Sequence, residues 1–100
     1  MYAMKNLEKF KLLALHAPES MKAFLSFDQL AWSDGAVPKK YKELIAVAVA
    51  LTTQCPYCIE LHVERARKLD ATDAEIAETV LAAAALRAGS AVTHGTHTMK

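Results

Sequence analysis

Apolar residues recur at helical spacing along most of the chain, and short breaks divide the pattern into separate segments. The first runs from Met4 to His16, with Leu7, Phe10, Leu13 and Ala14 on one side. Ala17-Pro18 ends it, because the residue before a proline is pushed out of the α region. The second, Glu19 to Trp32, sets Met21, Phe24, Leu25, Leu30 and Ala31 among polar residues, and Ser33-Asp34-Gly35 stops it. Pro38 suits the first turn of a third helix, which carries the apolar stretch Leu44 to Leu51 and reaches about Thr53.

Pro56 to about Leu69 forms a fourth segment, whose faces separate on a wheel of about 100° per residue. Cys55, Cys58, Ile59, His62, Ala66 and Leu69 share one stripe. Glu60, Glu64, Arg67 and Lys68 lie opposite, with Glu64 and Lys68 spaced to pair across one turn. Thr72-Asp73-Ala74-Glu75 has the form of a capping box, which predicts a fifth helix with the body Ile76 to Ala88. That body is apolar nearly all round, so neighbouring helices or other subunits should enclose it. Gly89-Ser90 predicts a bend, and Ala91 to Lys100 a short last helix or a frayed tail. Ile45 to Thr53 is rich enough in Val and Thr to pass for a strand, but no strand-turn-strand pattern follows Leu69, so the expectation is an all-α fold: one domain over residues 1–100, a compact bundle of five to six helices.

Composition agrees, with 53% hydrophobic residues and only three Gly and three Pro. A lone domain of this size buries about 60–65% of its unfolded surface, so self-association would help it. Twelve Lys and Arg against eleven Asp and Glu leave a net charge of +1 with no basic block, which argues against a nucleic-acid partner. Lys5, Glu8, Lys9 and Lys11 interrupt the N-terminus, so it lacks the apolar core of a signal peptide. The run Leu44 to Leu51 is too short to span a bilayer. A soluble cytoplasmic protein with no membrane partner is expected. In such a reducing compartment, two cysteines three apart point to redox or metal chemistry rather than a structural staple.

Cys55-Pro56-Tyr57-Cys58 opens a helix, where unpaired N–H groups and the positive end of the dipole favour a thiolate. The spacing puts the sulfurs on adjacent turns of one face, close enough for a reversible disulfide. His62, four residues after Cys58, is one turn on, where its imidazole could take a thiol proton. Glu43 stands in an otherwise apolar stretch, and a buried acid needs a partner. Cys55, Cys58 and His62 would also supply three zinc ligands, with Glu43 as the only candidate fourth. Thiol chemistry needs no metal and no cofactor, and none is assigned. His94 and His97 belong to the solvated tail, with a lesser role lining the site as the alternative.

Cys-Pro-Tyr-Cys is similar to the glutaredoxin motif as well. That fold needs strands and a facing proline after its CxxC helix, and this chain has no proline beyond Pro56. From about Pro18 to Thr98 the sequence resembles the AhpD-like (alkyl hydroperoxidase D) branch of the carboxymuconolactone decarboxylase superfamily. The features that carry the resemblance are Pro38-x4-Glu43, the apolar helix, Cys55-x-x-Cys58-x3-His62 and the alanine-rich helix that follows. The resemblance implies a subunit of a homotrimer or homohexamer. It also implies reduction of small hydroperoxides, lipoyl groups or a peroxiredoxin as redox partners, and a proton relay through Glu43 and His62 to the cysteines. Cys58 would attack the peroxide and Cys55 would resolve the product, although residue chemistry alone allows the reverse. The best-known members carry a second histidine just before the second cysteine, where this chain has Tyr57. A lyase acting on a γ-lactone and a non-catalytic redox or metal-binding module are the rival functions.

Overall fold

A computed structural model describes residues 2–100, and every regular element among them is helical. A 3₁₀ segment, Met4–Lys9, leads into α1 (Phe10–His16), followed by α2 (Pro18–Trp32), α3 (Lys39–Thr53), α4 (Pro56–Lys68) and α5 (Asp73–Gly95). A last 3₁₀ turn spans Thr96–Thr98. The all-α expectation holds, with five α-helices. The chain divides after Lys39 into two compact units.

In the first unit, Ala17 lies outside the α region as the Pro18 rule requires, so α1 and α2 form a helical hairpin. The Trp32 indole donates to the Asp28 carboxylate at 2.8 Å, one turn back along α2. The predicted first helix is α-helical only from Phe10; its opening turns are wound tighter. No residue of α1 or α2 is fully buried, and Phe27 and Leu30 are about 70% exposed (69% and 74%).

The second unit contains all of the buried core. The Asp34 carboxylate accepts the Lys39 N–H at 2.7 Å and so supplies a partner for the first N–H of α3. On α3, Glu43, Val47 and Ala50 follow one another at i, i+4 and i+7, all buried, with Leu44 and Ala46 beside them. Leu44, Ala66 and Ala71 make a small cluster, against which Ile76 packs. Lys40 meets Glu75 at 2.9 Å, and the Arg87 guanidinium donates to the Thr52 carbonyl. Both pairs join residues 35 apart, so α3 and α5 run parallel in a constant register and α4 returns the chain between them. An apolar groove follows the same register, lined by Tyr41, Leu44, Ile45, Ala48, Thr79 and Ala82.

One expectation needs correction. Gly89-Ser90 does not bend the chain, because α5 continues without interruption to Gly95. One glycine costs a helix only about 1 kcal/mol, which the alanines on either side offset. Of the two expected ways of enclosing α5, the helices of its own subunit do not suffice: none of its residues is buried, and Leu81 and Leu86 are about 70% exposed (67% and 72%). The stretch Asp73–Thr98 is also long and apolar enough, by length and composition, to cross a membrane. No long uninterrupted apolar run marks it, since Thr79, Arg87, Gly89 and Ser90 divide the stretch.

Candidate functional site

Cys55 serves two helices at once. Gln54 is left-handed, with φ of 58°, and the Cys55 N–H donates to the Ala50 carbonyl at 3.1 Å, so α3 ends in a Schellman motif. The same Cys55 is the N-cap of α4, and its sulfur accepts the Cys58 N–H at 3.3 Å. Sulfur thus replaces the hydroxyl or carboxylate oxygen that usually caps a helix. Pro56 fits the first helical position, where no N–H is needed. The far end of α4 repeats the device: Asp70 is left-handed, with φ of 67°, and the Ala71 N–H donates to the Ala66 carbonyl at 3.0 Å. Neither turn uses glycine, so no sequence signal marked them.

Cys55 and Cys58 form a disulfide, with their Cα atoms 5.3 Å apart. Both are half-buried, as are Ile59 and His62 on the predicted stripe, and Ala66 is fully buried. Leu69 departs from it, at 36% exposure just beyond the end of the helix. On the opposite face, Glu64 and Lys68 pair at 3.2 Å.

Glu43 has no solvent exposure at all. Its carboxylate meets His62 Nδ1, at 3.0 Å to Oε2 and 3.3 Å to Oε1. Among the described residues, no buried side-chain nitrogen or oxygen lacks a hydrogen-bond partner. With Nδ1 donating to the carboxylate, the ring orientation is fixed. The structure therefore joins Glu43 on α3 to His62 on α4, one turn after Cys58. His94 in the last turn of α5 and His97 in the 3₁₀ turn after it are both exposed, with ring centroids 5.7 Å apart. Arg87 was not anticipated, and one arginine on an alanine-rich helix carries no signal that could have found it.

Comparison with known proteins gives consistent results. The profile of the carboxymuconolactone decarboxylase family matches residues 18–100. An uncharacterized protein encoded in a cox locus of Paracoccus denitrificans is 51% identical over 72 residues, which cover 72% of this chain and 65% of that protein. An uncharacterized protein of Cupriavidus necator is 36% identical over the same share of this chain and 64% of its own length. The chain thus spans just under two thirds of these relatives. Among solved structures, a protein from Methanobacterium thermoautotrophicum superposes with a TM-score of 0.82 at 31% identity, over 88% of this chain and 99% of that one. The apo form of a carboxymuconolactone decarboxylase family protein from Legionella pneumophila gives 0.73 at 40% identity, over 92% and 80%.

Proposed function

The chain belongs to the carboxymuconolactone decarboxylase family, and from that premise we propose that it is a thiol-dependent peroxidase and disulfide oxidoreductase of the AhpD-like branch. The observation that carries this reading is a disulfide at a helix N-terminus, one turn from a histidine held by a buried glutamate.

In the reduced protein, His62 accepts the Cys58 proton while Glu43 balances the imidazolium charge. The Cys58 thiolate attacks one oxygen of a small hydroperoxide, the O–O bond breaks, and the departing alkoxide takes the proton back from His62. Cys58 is then a sulfenic acid. The Cys55 thiolate attacks that sulfur, hydroxide leaves and is protonated to water, and the disulfide forms. An external dithiol, such as a lipoyl group, returns two electrons and two protons by exchange; a peroxiredoxin partner would instead take electrons, its disulfide being reduced by the Cys55–Cys58 dithiol. We assign the working form to a homotrimer or homohexamer, with α5 at the subunit contacts.

Turnover of several hydroperoxides with dihydrolipoamide as reductant is the test. Wild type should consume both in equal amounts and Cys58→Ser neither; equal rates in the two proteins would end the proposal. The family name keeps a γ-lactone decarboxylase as the second reading. Release of carbon dioxide from such a lactone that survives loss of both cysteines would favour it, and stoichiometric zinc in the purified protein without turnover would favour a metal-binding module.

A further inference from the structure

Cys55 lies between two helix ends of opposite polarity. The N-terminus of α4 favours negative charge on its sulfur, whereas the C-terminal carbonyls of α3, immediately before it in the chain, disfavour that charge. Of those carbonyls, that of Ala50 is taken by the Cys55 N–H. That of Thr52, three residues before Cys55, receives the Arg87 guanidinium from α5, 35 residues further along the chain. The contact does two things. It places a cation on the negative end of α3, and it anchors the turn through left-handed Gln54 that delivers Cys55 to its capping position.

We infer that Arg87 is a positioning residue for the Cys55–Cys58 couple, acting through the last turn of α3 to favour the reduced, thiolate-bearing form. This rests on the reading above only in taking the pair to cycle between disulfide and dithiol. The exchange is balanced: an added dithiol is oxidised to its disulfide, and Cys55 and Cys58 gain its two electrons and two protons, one of which Cys55 sheds to solvent as a thiolate. Without Arg87 the α3 carbonyls oppose that thiolate unscreened, so the disulfide gains relative to the dithiol. The other ionisable residues near the pair along the chain or through His62, namely Tyr57 and His62 on α4 and Glu43 on α3, are the same in wild type and in every Arg87 variant.

A cation at a helix C-terminus is worth about a two- to fivefold change in equilibrium, or about 10–20 mV for a two-electron couple. The experiment equilibrates the full chain with dithiothreitol buffers of graded redox ratio and counts free thiols by alkylation and mass. Arg87→Gln should shift the midpoint toward disulfide by that factor. It should also raise the pH at which iodoacetamide reacts half-maximally with the reduced protein. Arg87→Met, which keeps the aliphatic stem, should behave the same, Arg87→Lys should recover part of the shift, and Glu78→Gln, another one-charge change on α5, should leave the midpoint alone. Wild-type midpoints in both Arg87→Gln and Arg87→Met would overturn the inference. Peroxide turnover is measured separately: a protein without it whose midpoint still responds to Arg87 loses the peroxidase reading and keeps this one.

Discussion

A carboxylate with no solvent exposure, such as that of Glu43, is tolerated only with its hydrogen bonds made, and here His62 supplies them. Glu43→Gln can still accept from Nδ1, so it should fold normally while reducing the rate of peroxide reduction by about 10²-fold or more, the range for a general acid–base group. His62→Ala should lose activity on the same scale and in addition cost up to about 3–5 kcal/mol, because it leaves a buried acid unpaired. Denaturant titration beside the rate assay separates the two effects. An undiminished rate in either variant removes that residue from the relay. The residues alone showed that the cysteines and His62 share one helix face and that Glu43, in an apolar run, needs a partner; that the partner is His62 was implied by the family resemblance. The second role of Cys55, as the joint between two caps, was not legible, because it depends on a left-handed Gln54 that no residue preference announces.

At the scale of elements, α5 was readable at its start and misread at its end. The capping box is present as predicted, with the Thr72 hydroxyl accepting the Glu75 N–H at 3.1 Å and the Glu75 carboxylate accepting the Thr72 N–H at 2.9 Å. The Gly89-Ser90 bend failed because a local breaker was weighed without the helix-forming run around it. The long-range ties between α3 and α5 leave no periodic trace and had to come from the fold. One of them gives a pH dependence. The backbone hydrogen bond from Thr72, then Lys40, hold the Glu75 carboxyl below its ordinary value of 4.5. The hydrogen bond to Glu75 holds Lys40 above its ordinary 10.5. Glu75 therefore stabilises the fold above pH 4.5, and that contribution is lost as pH falls through its lowered value. The Lys40 contribution is present below pH 10.5 and is lost as pH rises through its raised value. Because Thr72 holds Glu75 down as well as Lys40 does, Lys40→Met should abolish the alkaline limb and leave part of the acid limb, whereas Glu75→Gln should remove the acid limb and weaken the alkaline one. Thermal melts from pH 3 to 11 decide this. Thr72→Ala, which loses half of the box, should cost about 1 kcal/mol.

For the whole molecule, the apolar surface of α5 is the main unresolved demand of the sequence. Leu81, Leu86 and Val92 are each more than 60% exposed in one subunit (67%, 72% and 75%), and patches of that kind mark interfaces. Ala83 is half-buried against its own chain and Ala84 is exposed, so Ala84→Glu tests assembly with little effect on the subunit fold. Light scattering should then show a trimer or hexamer for wild type and smaller species for the variant; a monomeric wild type at micromolar concentration would refute the assembly. The cap that Cys55 provides carries the redox state beyond the two sulfurs. A disulfide sulfur is a weak acceptor for the Cys58 N–H, and a thiolate is a strong one, so reduction strengthens the first turn of α4. Helix order and electron supply are then thermodynamically linked. Above the pH at which Cys55 ionises, the Cys58 amide should exchange with deuterium more slowly in the reduced protein than in the oxidised one, and this difference should vanish in Cys55→Ala.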